Sequence, residues 1–322
     1  MTIRNPIKKE IRKDFLQNCT LYSALLKTYT KEHDTMVCNA CCNACLIGKR
    51  LNDYPANAAP EAIAAYQGRV REIVENHPEL SSPEKDYAIN LAHEAFFGPM
   101  KDFGPVKRHF NALMMAMEPA MMDGVRAAKD PLSRAVQYAM TGNFIDFAAM
   151  DSVDEGRLRQ LIAQSDRIPV PEDVLEALRR DVMRARRLTC IADNCGEIVA
   201  DRVLMRALRE MNPSLEITAV VKGAPIVNDA TREDAEQVRL HEVARRVVDT
   251  GCGIAGCPEN RLSRECLDAL DRADVLISKG QANYETLCGC GRNLYYIFMC
   301  KCQLFMDRFN VPQFSGIIAR DD

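Results

Sequence analysis

Residues 188–197 read Leu188-Thr189-Cys190-Ile191-Ala192-Asp193-Asn194-Cys195-Gly196-Glu197, a short and mostly apolar run that ends in a polar turn. A helical pattern follows the turn, and two further apolar runs, at 217–221 and 275–278, each end in Lys-Gly. A fourth apolar run covers 295–299. Short apolar strands that alternate with helices are typical of a doubly wound, mostly parallel sheet that is buried on both faces. The sequence therefore predicts an α/β fold with three α/β/α layers.

The part of the chain before these strands predicts helices almost throughout. Pro60-Glu61 is a favourable first turn for a helix over 60–78. A methionine-rich stretch over 106–128 predicts a further helix whose methionines fill the core, and Asp130-Pro131 ends it. We therefore expect two parts, a helical N-terminal region at 1–140 and an α/β domain at 141–322.

The composition excludes several classes of protein. The chain has 322 residues, of which 45 are acidic and 42 basic, so its formal charge is -3. A near-neutral protein has no electrostatic basis for nucleic acid or an anionic membrane as its main partner. No apolar run approaches the roughly 20 residues of a membrane-spanning helix, and the first residues are too polar for a signal peptide. We expect a soluble, cytoplasmic protein, and nothing in the sequence specifies an oligomeric state.

Polar side chains follow three of the predicted strands. In an open α/β sheet, ligands bind beyond the carboxyl ends of the strands, near a switch in strand order. Two carboxylates and an amide oxygen suit a hard divalent cation such as Mg or Mn, and a neighbouring ammonium group neutralises a phosphoryl group. The residues alone thus predict a site for a metal and a phosphate, with a helix cap by Asp193 as the alternative. The first strand ends in Asp193 and Asn194, the segment after the second carries Asn228 and Asp229, and the third ends in Ser278 and Lys279.

Four segments resemble the signature motifs of the damage-control phosphatases, formerly a domain family of unknown function that is similar to the acidic-residue methyltransferase-like phosphatases. They occur in the family's order, and the helical first half is similar to the family's architecture. The segments are Gly142-Asn143-Phe144-Ile145-Asp146-Phe147, then 192–201, 228–235 and 278–287.

The resemblance implies metal-dependent hydrolysis of phosphate monoesters of small metabolites, with sugar phosphates and damaged phosphometabolites as the substrate class. It implies that Asp193, Asn194 and Asp229 bind a divalent metal ion, which is Mg, Mn, Co or Ni. Asp193 and Lys279 would be the catalytic residues, and Lys279 would contact the phosphate. Whether Asp193 attacks phosphorus or positions a water molecule stays open. The implied substrate-binding residues are Asn143, Asp146, Glu197, Asn228, Lys279 and Asn283.

Cys195 and Glu197 lie in the second of these segments, 192–201. Cys195 stands where the family usually has alanine, so the resemblance places a thiol beside the metal. Glu197 fits a role in supporting the ligands or moving a proton, and it equally fits a place on the helix surface or in a helix cap.

Four of the 14 cysteines form two overlapping Cys-x-x-Cys pairs, Cys38, Cys41, Cys42 and Cys45. On a helix these positions share one face. Packed thiols, a second metal site and a redox pair are all compatible with this spacing. A thiol-rich metal-binding or redox protein is therefore an alternative function.

A methyltransferase on a Rossmann-like sheet is the other alternative, since Asp-Asn-Cys-Gly-Glu at 193–197 weakly imitates a glycine-rich turn. Residues 251–256 also match the GxGxxG dinucleotide fingerprint, which needs a strand before it and a helix after it. The stretch 241–248 predicts a helix instead, and Pro258 follows. We interpret 251–256 as a loop whose glycines let the chain pass close to the pocket.

Overall fold

The computed structural model describes residues 39–146 and 154–321. These residues form two compact units, one up to Pro99 and one from Met100 onward. Cys38, the first cysteine of the Cys-x-x-Cys pairs, lies outside the described residues. Each unit has its own apolar core.

The first unit consists of three helices around a shared apolar cluster. Helix α1 covers Asn39–Arg50, α2 covers Pro60–Asn76 and α3 covers Ser82–Phe97. Helix α2 begins at Pro60, as the sequence predicts, and a capping box formed by Ser81 and Glu84 starts α3. The buried side chains of the cluster are Leu46, Tyr66, Val70, Ile73, Val74 and Ile89.

The second unit combines nine α-helices and six strands within its described residues. Its helices are α4 (Gly104–Ala127), α5 (Pro131–Gly142), α6 (Glu155–Ala163), α7 (Glu172–Arg184), α8 (Glu197–Met211), α9 (Arg232–Gln237), α10 (Arg264–Asp271), α11 (Gln281–Leu287) and α12 (Gln303–Phe309). Its strands are β1 (Arg187–Ile191), β2 (Glu216–Val221), β3 (Arg246–Asp249), β4 (Val275–Lys279), β5 (Leu294–Met299) and β6 (Gly316–Arg320). Single 3-10 turns occur at Ser165–Arg167, Leu240–Glu242 and Glu259–Arg261.

The strands form one sheet in the order β3-β2-β1-β4-β5-β6, in which β6 is antiparallel to β5 and the other neighbours are parallel. The register places Cys190 of β1 between Ala219 of β2 and Ile277 of β4. Strand order reverses between β1 and β4, which is the position at which open α/β sheets bind ligands beyond the carboxyl ends of their strands. This arrangement confirms the predicted doubly wound, mostly parallel sheet.

Alternate residues of the central strands enter two apolar clusters on opposite faces of the sheet. Ile277 and Ile297 pack into the cluster that contains α4, α5 and α8. Leu276 and Phe298 pack into the cluster that contains α10, α11 and α12. Strands β4 and β5 are buried along their whole length, which explains their uninterrupted apolar runs. Helices therefore cover both faces, as the prediction of three layers requires.

The helix predicted at 241–248 is wrong, because Arg246–Asp249 form the edge strand β3. A run as short as Val247-Val248 does not distinguish a strand from a helix by its periodicity. Helices α4 and α5, which fall within the predicted helical region 1–140, lie in the second unit and pack on α8. Among the described helices, none has the length and apolar character needed to cross a membrane.

Candidate functional site

The loops after β1 and β2 run side by side at the carboxyl edge of the sheet. Asp193 O accepts a hydrogen bond from Ala230 N–H at 2.7 Å. Asn194 and Asp229 face each other in an isolated antiparallel bridge. The backbone thus brings together the three predicted metal ligands, Asp193, Asn194 and Asp229, and all three side chains are buried.

Asp193 and Glu197 share two amide donors. Asn143 Nδ2, at the end of α5, donates to Asp193 Oδ2 at 3.0 Å and to Glu197 Oε2 at 2.8 Å. Asn194 Nδ2 donates to the same two oxygens at 2.7 and 3.1 Å. Asn143 Oδ1 accepts from the backbone N–H of Met299 at 2.9 Å, which fixes the amide to the end of β5. These bonds hold two mutually repelling carboxylates in one orientation before any ligand binds.

Among the predicted ligands, Asp229 Oδ2 is buried without a hydrogen-bond partner, and no donor from the described residues bonds to Asp193 Oδ1 or Asn194 Oδ1. A buried oxygen without a donor is costly, and a divalent cation would satisfy all three. The described residues contain no group of three His, Cys, Asp or Glu side chains that could hold a metal. A metal here would therefore depend on the amide of Asn194 and on water or substrate for its other ligands.

Neighbouring lysines compensate only part of the cost of burying the carboxylates of the site. Burial raises the pKa of Asp193 well above its usual value, and the charges of Glu197 and Asp229 raise it further. Burial also raises the pKa of Asp229 to about 7, against the opposing effect of the Lys222 ammonium group. A divalent cation would stabilise the ionised forms and reverse both shifts. The residues present therefore fit such an ion.

Lys279 ends β4 and is fully buried. Its Nζ donates to Ala139 O at 2.7 Å and to Glu197 Oε1 at 2.8 Å, and it lies 3.3 Å from Asp201 Oδ1. Burial by itself would lower the pKa of Lys279, but Asp201 and Glu197 raise it above its usual value. The structure thus encloses this ammonium group among three oxygens of the chain, whereas the sequence expects it to meet the phosphate.

A lysine that the sequence analysis missed lies just beyond β5. Lys301 Nζ forms an ion pair with Asp146 Oδ2 at 2.7 Å. Asp146 lies three residues after Asn143, which binds Asp193, and Lys301 lies two residues after Met299, whose N–H binds Asn143 Oδ1, so both partners come from segments that are joined to that carboxylate. Ligands bind beyond the carboxyl ends of the strands in such a sheet, and this principle would have identified Lys301 if it had been applied to the fourth apolar run, 295–299.

Asn228 and Asn283, which the sequence assigns to substrate binding, are fully buried and bind the chain itself. Asn228 Nδ2 donates to Ile145 O at 3.1 Å. Asn283 Nδ2 donates to Lys279 O at 2.6 Å, and its Oδ1 accepts from Lys222 Nζ at 3.1 Å. Both amides therefore fasten neighbouring segments of the site.

Asn111 of α4, a second residue that the sequence analysis missed, joins the two ligand loops. Its Oδ1 accepts from Gly196 N–H at 2.6 Å, and its Nδ2 donates to Asp234 Oδ1 at 2.9 Å. Asp234 Oδ2 accepts from both the N–H and the hydroxyl of Thr231 at 2.8 Å, and Lys107 Nζ lies 2.7 Å from it. Gly196 and Thr231 each follow a predicted ligand by two residues, so Asn111 ties both loops to one helix.

Cys195 and the cysteines of α1 are free thiols. Burial raises the pKa of Cys195 to about 12, so this thiol stays protonated near neutral pH. Cys41, Cys42 and Cys45 lie on α1, and none of them forms a disulfide. The metal and redox interpretations of their cluster with Cys38 stay predictions.

The GxGxxG match at 251–256 does follow a strand, β3, contrary to the expected helix. A 3-10 turn at Glu259–Arg261 comes after it, where a dinucleotide site needs a long helix. Gly256 O accepts from Lys222 Nζ at 2.8 Å, and that nitrogen lies 4.0 Å from Asp229 Oδ2. The loop therefore passes beside the site, as we interpreted it from the sequence.

Comparison with known proteins places this site in a family. Residues 38–316 match the damage-control phosphatase ARMT1-like domain. Damage-control phosphatase PH1575 of Pyrococcus horikoshii is 32% identical over 197 residues, which make up 61% of this chain and 67% of that protein. A damage-control phosphatase of Archaeoglobus fulgidus is 26% identical over 269 residues, or 81% of this chain and 91% of that protein.

A crystal structure of a DUF89 family protein, PH1575 of Pyrococcus horikoshii, matches the fold with a TM-score of 0.69 and 25% identity. The match covers 87% of this chain and 98% of that chain. The family match begins before α1 and ends at the start of β6, so it includes every residue of the site described above. These findings confirm the resemblance that the four motifs carry, and the chain belongs to the family of the damage-control phosphatase ARMT1-like domain.

Proposed function

We propose that this protein is a metal-dependent phosphatase that hydrolyses phosphate monoesters of small metabolites. The observation that carries the proposal is the convergence of the buried Asp193, Asn194 and Asp229 side chains, with Asp229 Oδ2 left without a hydrogen-bond partner, at the point where strand order reverses. Membership of the family and the names of the two archaeal relatives support the same reaction. Sugar phosphates and damaged phosphometabolites are the proposed substrates.

Asp193, Asn194 and Asp229 would hold a divalent ion, Mg, Mn, Co or Ni. When bound, the ion would supply Lewis-acid polarisation of the phosphoryl oxygens. Asn143 keeps the Asp193 carboxylate in its orientation, because it binds Asp193 Oδ2 and leaves Oδ1 without a donor. Glu197 shares that amide and so fixes the same geometry from the first turn of α8.

Two lysines have different roles in this proposal. Lys301 is the cation that we assign to the phosphoryl oxygens, because it pairs with Asp146 at the edge of the site and its charge reaches Asp193. A cation held at the equatorial oxygens offsets the charge that spreads over them in a loose transition state. Lys279 neutralises Glu197 and thereby keeps the Asp193–Glu197 pair from separating.

The near-neutral charge supports a small phosphorylated metabolite over nucleic acid as the partner. The cytoplasmic location stays a prediction. Asp193 would either attack phosphorus as the nucleophile or act only as a ligand of the metal ion. The configuration at phosphorus separates these roles: with a substrate that is chiral at phosphorus, two successive displacements through Asp193 retain the configuration, and one direct attack by water inverts it.

Phosphate release from an aryl phosphate and a panel of sugar phosphates is the test. We would measure it with EDTA and again after restoring Mg, Mn, Co or Ni, for the wild type and for Asp193→Asn and Asp229→Asn. Asp123→Asn is the matched control, since Asp123 is an exposed carboxylate of α4. Release that needs metal and is lost in both site variants, but kept in the control, supports the proposal.

Absence of release with every metal from well-folded wild type would overturn the phosphatase. The same samples also test both alternatives. Calorimetric binding of the methyl donor would favour a methyltransferase. Metal that stays bound in the site variants but is lost on changing the cysteines of α1 to serine would favour a thiol-based metal protein.

A further inference from the structure

Phe314 combines an exposed aromatic ring with an unfavourable backbone conformation. Its side chain is 45% exposed, and its φ is +65°, in the left-handed region. A bulky side chain with a Cβ is strained there, and such strain persists at positions where it serves a function. Asn310, which ends α12, has a similar φ of +51°, but asparagine tolerates this conformation.

The fold does not need an aromatic side chain at this position. The turn is held by backbone bonds, since Phe314 N–H donates to Cys300 O at 2.7 Å and Ser315 O accepts from Cys300 N–H at 2.8 Å. Gln313 Nε2 adds a bond to Lys301 O at 2.9 Å. Asparagine or glycine would keep both backbone bonds and would adopt the left-handed conformation more easily.

The ring contacts Phe144, which lies within two residues of Asn143 and Asp146 along the chain. Its centroid is 6.2 Å from that of Phe144, at 62°, in an edge-to-face arrangement. Phe144 is the next residue after Asn143, which binds Asp193, and it precedes Asp146, which binds Lys301. An exposed apolar surface thus adjoins the edge at which a phosphoryl group would lie.

We propose that Phe314, backed by Phe144, forms the subsite for the leaving group of the substrate. This inference rests on the proposed phosphatase function and names the substrate class more closely. An aromatic surface beside charged groups favours a substrate with an apolar face next to its phosphate. The geometry points to ring-bearing monoesters, namely cyclic sugar phosphates and aryl phosphates, over short open-chain phosphates.

The test compares Phe314→Asn and Phe314→Tyr with the wild type. The substrates are a cyclic hexose phosphate, an aryl phosphate and a two-carbon phosphate monoester, each with the metal that gives the highest wild-type activity. For Phe314→Asn we expect kcat/KM to fall about tenfold or more for both ring substrates, mainly through KM, and to change less than about twofold for the two-carbon substrate. Phe314→Tyr keeps the ring and retains the preference.

Melting temperature separates a binding role from a structural one. We expect Phe314→Asn to melt at the wild-type temperature or above it, because asparagine relieves the strain. Met183→Asn is the matched control, since Met183 is a 54% exposed apolar side chain on α7. It should leave the substrate preference unchanged.

An equal fall for all three substrates, an unchanged preference in Phe314→Asn, or a clear loss of thermal stability would each overturn the subsite. These results leave the phosphatase itself intact, because the wild type still releases phosphate. If the wild type hydrolyses none of the three substrates with any metal, the proposed function fails and the subsite fails with it.

Discussion

Gly280 lies directly against the carboxylate of Asp193, so that a Cβ on this glycine would come within 2.1 Å of Asp193 Oδ2. The φ of Gly280 is +82°, which a residue with a side chain adopts only under strain. The close approach to Asp193 therefore explains why glycine follows Lys279 at the end of β4. The glycine lets the end of one central strand approach the acid that follows the other.

Gly280→Ala should consequently move the Asp193 carboxylate. We expect weaker metal binding and a fall in kcat/KM of roughly 100-fold, because displacement of a site group by about 1 Å has effects of that size. The free energy of unfolding should decrease by about 1–3 kcal/mol from the backbone strain. Calorimetry with Mn and chemical denaturation would measure the two effects.

Gly291→Ala is the control for strain without a clash. Gly291 has a φ of +72°, but its Cβ would meet no atom within 4 Å. This variant should lose stability and keep metal affinity. Equal metal affinity in both variants would contradict the role that we give to Gly280.

Asn111→Leu tests whether Asn111 holds together the loops after β1 and β2, which carry the proposed metal ligands. The change leaves the Gly196 N–H and the Asp234 carboxylate without a partner, so we expect metal affinity to fall about 10- to 100-fold, as for other residues that orient metal ligands. Gln237→Ala is the control, since it removes the third partner of Asn111 and leaves Gly196 bound. Unchanged metal affinity in folded Asn111→Leu would rule out this role.

The sheet and the proposed metal ligands could be predicted from the sequence because both depend on local patterns. Apolar runs located four of the six strands, and the segments that follow them include Asp193 and Asp229. Asn111 could not be found in this way. It is one polar residue on a methionine-rich helix, and its partner Gly196 is 85 positions away along the chain.

The two lysines show a second limit of sequence reasoning. Lys279 and Lys301 both follow apolar strands, but the sequence does not show which carboxylates neutralise each ammonium group. In the structure Glu197 and Asp201 enclose Lys279, whereas Lys301 pairs with Asp146. Strand position predicts that a side chain lies near the edge, and only three-dimensional packing determines which group remains available to a ligand.

Lys301→Met tests the cation assigned to the phosphoryl group. We expect kcat/KM to fall roughly 100-fold or more, which is typical for loss of one group that stabilises transition-state charge. Lys301→Arg should retain part of the activity because it keeps the charge, and exposed Lys129→Met should have no effect. Steady-state kinetics with an aryl phosphate would measure this, and wild-type kcat/KM in folded Lys301→Met would contradict the assignment.

Replacement of Cys41, Cys42 and Cys45 by serine tests whether the cysteine cluster contributes to the reaction. We expect metal-dependent phosphate release to stay within about twofold of wild type, because the proposed ligands are oxygens of the second unit. Metal content measured by mass spectrometry on the same samples would detect a separate thiol site. A large loss of phosphate release in the folded variant would connect the cluster to the chemistry.

Asp201 gives a prediction for the pH dependence of stability. Burial raises its pKa from 3.8 to about 7, although the charge of Lys279 acts in the opposite direction. Between about pH 4 and pH 7 the folded protein therefore binds more protons at this carboxyl than the unfolded chain does. The contribution of Asp201 to the unfolding free energy therefore falls as pH rises through this window, by at most about 1.4 kcal/mol per pH unit.

Asp201→Asn isolates that contribution. Asparagine resembles the protonated carboxyl and does not titrate, so the variant should lose less stability than the wild type between pH 4 and pH 7. Denaturation of both metal-free proteins across this range gives the difference directly, since Asp193 and Asp229 titrate in both and cancel. Parallel curves would show that Asp201 is ionised throughout the range and that Lys279 compensates its burial in full.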